Sequence, residues 1–266
     1  MMIRIPLIAG TALLASWILF AQNAAPPKAA GPAGPASPEL RAELVLADQI
    51  LSNQNVLDAY GHVSVRSDRN PNHYLMSRAV AAGLVTNRDI VEYDLDSQPV
   101  DGNTAALFIE RFIHGEIYKA RPDVMAIIHC HAPEVIPFGA TNVPLLPISH
   151  MAGFLGEGVP VFEIRKAGGV TDMLIRTPAL GKALAQTLAD KPAALLRGHG
   201  AVVVATNLHI VVGRAYYMAM DARLQQQAVM LGGKVTYLEK EEAKKAAPQD
   251  GFERAWEFWK HKATVQ

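Results

Sequence analysis

From residue 38 to 53 the chain reads PELRAELVLADQILSN, with apolar positions at three- and four-residue intervals, the spacing of one buried helix face. HVSVR (62–66) alternates and is β-branched, so it reads as a strand. HYLMS (73–77) follows the turn residues Asp68-Arg69-Asn70-Pro71 as its hairpin partner. IVEYDLDSQPVDG (90–102) carries a third strand and a turn. Thr104 is placed to cap a helix running to about Lys119, closed by Arg121-Pro122-Asp123 because the residue before a proline avoids the α region. VMAIIHCH (124–131) is a nearly unbroken apolar run, as expected of a buried central strand. A short helix follows, then a loop holding His150-Met151-Ala152-Gly153, a strand at 159–164 and a helix at 178–191. ALLRGHGAVVVAT (194–206) reads as two strands around a tight Gly198-His199-Gly200 turn. A long helix spans about 207 to 231 and stops at Gly232-Gly233. Strands interspersed with helices predict an α/β sandwich-like domain, and no internal repeat interrupts it.

The first forty residues break this pattern. Arg4 precedes the apolar run IPLIAGTALLASWILF, about sixteen residues long, and a stretch rich in Ala, Pro and Gly comes next. An early positive charge and a short apolar run read as a secretory signal over 1–23. The run falls short of the ~20 residues that span a bilayer comfortably, so an uncleaved anchor is the lesser alternative. Residues 24–38 are expected to be a semi-extended tether, 39–266 the folded domain, and the destination an exported, periplasm-like space. Lys+Arg and Asp+Glu are equal at 25 each, which leaves no basic field for a long polyanion; nucleic acid is set aside as a partner. The single cysteine, Cys130, cannot form an intramolecular disulfide, so the fold must hold by its core.

The candidate chemistry begins at His129-Cys130-His131. Alternate residues of a strand share a face, so the two imidazoles point one way and Cys130 the other. Taken alone, such a pair could equally be hydrogen-bonded core or loop histidines. His199 adds a third imidazole, in a Gly-His-Gly turn where glycines permit a sharp bend and close approach. Three imidazoles with an open coordination position suit a catalytic metal site. Glu110, on the helix before the HCH strand, borders an apolar face of Ile109, Phe112, Ile113 and Ile117. Its carboxylate could share the metal or shuttle a proton; its plain alternative is a surface glutamate favoured by the helix dipole. Tyr216 and Tyr217 read as core or subunit contacts, and His114 as a surface or packing residue.

Order and spacing then add what single motifs do not. The helix with Glu110, the ARPDV turn, the strand ending HCH, the long gap and the RGHG turn before a long helix resemble the class II aldolase/adducin family over about residues 40 to 240. The resemblance implies a single domain with a central mixed or antiparallel β-sheet flanked by helices. It also implies one divalent metal on His129, His131 and His199, with Glu110 as acid/base and a raised carboxyl pKa for that role. Zn²⁺ is the leading candidate, and imidazole ligation also admits Mn²⁺, Co²⁺ or Fe²⁺. The family's sugar-phosphate aldolases hold phosphate with elements this chain lacks: Gly61-His62-Val63-Ser64 and Met76-Ser77-Arg78-Ala79 stand in two of the places, and Leu107, Phe108 and Ile109 replace small hydroxyl residues. What replaces them resembles the branch that decarboxylates hydroxylated aromatic dicarboxylates.

His62, Arg78 and His150 are accordingly candidate substrate-binding residues, each alternatively a plain surface or core-edge side chain. The expected substrate is a small hydroxy acid or hydroxy-carbonyl compound. The competing readings are a retro-aldolase on an unphosphorylated substrate, an Fe²⁺ oxygenase, a non-catalytic adducin-like interaction module and a metal-binding protein. Homologous folds form tetramers, which implies a homo-oligomer. Phe252, Trp256 and Trp259 form a stripe able to cover a neighbour or the protein's own core.

Overall fold

The computed structural model describes residues 34–265 apart from 101, 103–104, 247 and 249. The expected signal segment lies outside the described residues, as does the first part of the tether. The tether's end does not behave as a tether: Ala36 is buried, Ser37 caps the first helix by accepting from the Leu40 N–H, and the Ser37 N–H reaches Asp68 Oδ1. Helix α1 (Pro38–Asn53) then carries the expected stripe, burying Leu44, Ala47, Ile50 and Leu51.

Seven strands form one sheet: β1 (His62–Arg66), β2 (His73–Ser77), β3 (Ile90–Asp94), β4 (Ala126–Cys130), β5 (Val161–Phe162), β6 (Ala193–Leu196) and β7 (Gly200–Ala205), in the order β3-β2-β1-β4-β7-β6-β5. Every neighbouring pair is antiparallel except β5 with β6, so the sheet is mixed, as expected. Among the helices are α2 (Phe112–Ala120), α3 (Ile136–Ala140), α4 (Ile164–Gly168), α5 (Pro178–Leu188), α6 (Leu208–Met230), α7 (Lys240–Ala246) and α8 (Glu253–Val265).

The pleat divides the core in two. Val63, Val65, Ile128, Cys130, Ala201 and Val203 face one layer, where α1, α6 and α8 pack. Ile127, Val202 and Val204 face the other, against Ile113 and Ile117 of α2 and Leu184 and Leu188 of α5. Both faces of β4 are covered, which accounts for its unbroken apolar run. Each buried Leu or Ile contributes ~1.5–3 kcal/mol, so the two layers fix strand register together. The aromatic stripe of the tail closes over its own chain: Phe252, Trp256 and Trp259 are buried, and Trp256 stacks on His209 with ring centroids 4.1 Å apart.

Several elements depart from the sequence pattern: the strand expected over 159–164 shortens to Val161–Phe162 with α4 starting at Ile164, and the loop expected around His150 is a 3₁₀ stretch, His150–Glu157. The helix expected from Thr104 begins later; Thr104 itself lies outside the described residues. Residues 105–108 are not helical, a 3₁₀ turn covers Ile109–Arg111, and α2 starts at Phe112. Arg111 fixes this break by donating to the carbonyls of Ser97 and Phe108. Glu110 itself sits off helical geometry (φ −88°, ψ 16°) and Ile109 is 46% exposed, so the apolar face is shorter than the periodicity suggests.

Candidate active site

Four side chains from three stretches of chain converge. His129 is the penultimate residue of β4 and His131 follows the strand's end, so the pleat turns both to the face covered by α2 and α5. His199 comes from the β6–β7 hairpin, where Leu196 pairs with Gly200 and Gly198 takes φ +61°. Gly200 lets β7 start against β4: a Cβ there would stand 2.1 Å from the Cys130 carbonyl oxygen. Glu110 enters from the 3₁₀ turn, its Oε1 accepting from the Ile175 N–H at 2.8 Å.

The Nε2 atom of His131 lies 3.0 Å from Nε2 of His129 and 3.0 Å from Nε2 of His199. Glu110 Oε2 is 3.5 Å from Nε2 of both His129 and His199. One ligand atom from each of the four falls within 4.8 Å of all the others. A tetrahedral ion with bonds of about 2.0–2.1 Å would hold its donors about 3.3 Å apart, so the set fits a shared divalent cation. His129 Nδ1 donates to the Ala201 carbonyl at 3.1 Å, which leaves its Nε2 lone pair free for the centre.

The electrostatics agree with a cation site. Burial, then the charges of His129 and His199, pushes His131 down to about 4, so it stands as the neutral imidazole a metal requires. Burial alone would raise the Glu110 carboxyl, but its contacts to His129 and His199 outweigh that and hold it well below the usual carboxylate range. The raised value expected from its acid/base role is therefore not what this arrangement gives: Glu110 is ionised here, because imidazole neighbours favour the carboxylate. Cys130 is fully buried on the opposite face, and burial pushes its thiol up to about 11, in keeping with a packing residue.

Of the candidate substrate residues, His62 joins the cluster. It pairs with His129 in the β1–β4 register, its ring 5.2 Å from that of His129 and 4.5 Å from that of Phe108. Arg78 donates through Nε to Asp89 Oδ1 at 2.7 Å, an ion pair that occupies part of its guanidinium. His150 is exposed and lines a separate cleft of about 790 Å³ with Tyr216, Tyr217 and Trp259.

The sequence reading missed His114. It is fully buried and hydrogen-bonded to His62 and Ser64, neither a surface residue nor mere packing. The available signal was the pairing of His62 with Ser64 two apart on a strand and His114 with Tyr118 four apart on a helix, each pair sharing a face. Burial, with the charge of His129, pushes His114 down to about 3.

The model of the class II aldolase and adducin N-terminal domain matches residues 42–257. The chain is 36% identical over 235 residues to the decarboxylase tropJ of Talaromyces stipitatus, covering 79% of this chain and 88% of that one. It is 26% identical to the 3,4-dihydroxyphthalate decarboxylase of Arthrobacter keyseri over 83% of this chain and 91% of that one. Among solved structures, the L-fuculose 1-phosphate aldolase of Glaciozyma antarctica superposes with a TM-score of 0.67 at 21% identity, over 85% of this chain and 88% of that one, a likeness of fold. The chain belongs to the class II aldolase and adducin family, and within it to the lyases.

Proposed function

We propose that the protein is a divalent-metal-dependent decarboxylase of a hydroxylated aromatic carboxylic acid. The observation that carries this reading is the convergence of three Nε2 atoms and one carboxylate within 4.8 Å, beside His62 and beside Phe108, which stands where a small hydroxyl residue would serve a phosphate. The 36% identity to a decarboxylase supports the choice over aldol cleavage. His129, His131 and His199 would hold the metal, with Zn²⁺ favoured by the donor set. A bound divalent cation supplies Lewis-acid stabilisation of the negative charge that gathers on a substrate oxygen.

The chain's own residues do the rest. Glu110 Oε2, ionised in this arrangement, accepts the proton of the phenolic hydroxyl and delivers it to the ring carbon that bears the carboxylate. That carbon then releases CO₂. The pair of electrons of the broken C–C bond restores the aromatic ring and leaves a phenolate, which takes a proton from solvent. The Ile175 N–H holds Glu110 Oε1 and leaves Oε2 to move the proton. His62 Nε2 meets the substrate carboxylate, and Phe108 offers an aromatic wall against the ring.

The proposal extends to Arg78 as a carboxylate anchor at the pocket edge, to a homo-oligomer (a tetramer by family resemblance) in which His150 meets a neighbour's centre, and to export directed by residues 1–23. Elemental analysis of the purified protein followed by CO₂ release from a panel of hydroxylated aromatic acids tests the central claim. One divalent ion per chain and CO₂ from at least one acid are expected. An aldehyde product from a hydroxy-carbonyl substrate without CO₂ would assign aldol cleavage instead, and oxygen consumption during turnover would assign an oxygenase.

A further inference from the structure

A buried polar arm leads away from the centre. His62 Nδ1 lies 2.7 Å from His114 Nε2, His114 Nδ1 2.6 Å from Ser64 Oγ, and Ser64 Oγ 2.9 Å from the Tyr118 hydroxyl. His62 is 3% exposed, Tyr118 1%, and Ser64 and His114 not at all, so bulk water does not compete for these bonds. The far end is anchored by the Arg66 guanidinium, which sits 4.7 Å over the Tyr118 ring. Arg66 is itself held by the carbonyls of Val124, Pro71, Tyr118 and Arg121. The near end is covered by Phe108 and abuts the His129 ring.

None of the four arm residues belongs to the metal-ligand set. Four polar side chains in a core cost free energy unless every one is bonded, and apolar residues of similar volume would fill the space without that demand. The chain of bonds is thus better explained by its effect on the one member that faces the centre. We infer that Ser64, His114 and Tyr118 are positioning residues that hold the His62 ring with Nδ1 turned inward, so that Nε2 is the single polar atom it offers to a substrate carboxylate. The inference rests on the reading of the cluster as a catalytic centre.

The physical lock has two parts. Turning the His62 ring over would set a carbon against His114 Nε2 and forfeit the 2.7 Å bond. A neutral imidazole also carries one N–H, so a proton on one nitrogen makes the other an acceptor. With the Tyr118 hydroxyl donating to Ser64 Oγ, Ser64 donates to His114 Nδ1 and His114 donates through Nε2 to His62 Nδ1, which puts the His62 proton on Nε2, ready to donate to a carboxylate.

Ser64→Ala, with Ser64→Thr as the conservative rescue, tests this in the full-length metalloprotein. Metal content should stay at one ion per chain in both variants. For an acid that the wild type decarboxylates, Ser64→Ala should raise KM about tenfold with kcat within about threefold, and Ser64→Thr should restore KM. Ring ¹⁵N spectra of histidine-labelled protein, with His62 assigned by its loss in His62→Gln, should show one tautomer in the wild type and a mixture in Ser64→Ala. Wild-type KM and an unchanged His62 tautomer in Ser64→Ala would overturn the inference. Should no acid release CO₂, the proposed function fails, and the spectra alone still decide: a mixture supports the arm, an unchanged signal refutes it. If Ser64→Ala does not fold, Tyr118→Phe removes a single oxygen at the far end and carries the same measurements.

Discussion

At the scale of single residues, the carboxylate of Glu110 separates the roles of binding and chemistry. Glu110→Gln keeps the side chain's shape and its contact to the Ile175 N–H but removes the proton acceptor. Turnover should fall by about 10²–10⁴-fold with metal content unchanged, as measured by steady-state kinetics and elemental analysis on the same preparation. Parallel loss of metal would make Glu110 a ligand first. A second residue acts on stability alone. Asp48 of α1 is 1% exposed, and burial pushes its carboxyl well above the usual range, with the Val63 backbone working weakly against it. A folded-state pKa raised above the unfolded one gives stability that is present below the unfolded value and is lost as pH climbs through the folded value. Asp48→Asn keeps the neutral form at every pH. Its melting temperature should exceed that of the wild type at pH 7, and the difference should vanish near pH 4. Equal melting curves at both pH values would contradict the assignment.

At the scale of elements, the site depends on how closely two strands and a hairpin approach. His199 reaches the other imidazoles because β7 begins against the end of β4, where Gly200 has no Cβ to strike the Cys130 carbonyl. Gly200→Ala would force the strands apart at that point. Metal content should drop several-fold and stability should fall by ~1–3 kcal/mol, as overpacking in a filled core generally costs. Retention of metal at the wild-type level in a folded Gly200→Ala protein would show the contact to be dispensable. The hydrophobic pattern placed β1, β2, β4 and α6 where they are found, since each has a strong period and clear punctuation. It overextended α2. Local periodicity cannot register that the Ile175 N–H and the carbonyls bound by Arg111 hold residues 109–111 in a 3₁₀ turn.

At the scale of the whole molecule, a metal on the proposed ligands would tie distant parts of the chain together. The proposed ligands come from β4, its following loop and the β6–β7 hairpin, with Glu110 on a third segment, so a cation stabilises only the folded arrangement. Exhaustive chelation should lower the melting temperature by several degrees and abolish turnover, with both restored by adding back one divalent ion; unchanged melting after verified metal removal would argue against the site. The sequence by itself determined the alternation of strands and helices, the chemistry of the donor set and the opposite facing of Cys130. These follow from periods of two and 3.6 residues and from side-chain type, which are properties of neighbours along the chain. Only the tertiary structure decided that His62 adjoins the centre, that His114, Ser64 and Tyr118 stand behind it, that Arg78 is paired with Asp89, and that His150 lies on another cleft. Those outcomes depend on which strand pairs with which and on how a helix rotates against the sheet, and contacts separated by fifty residues leave no period in the chain.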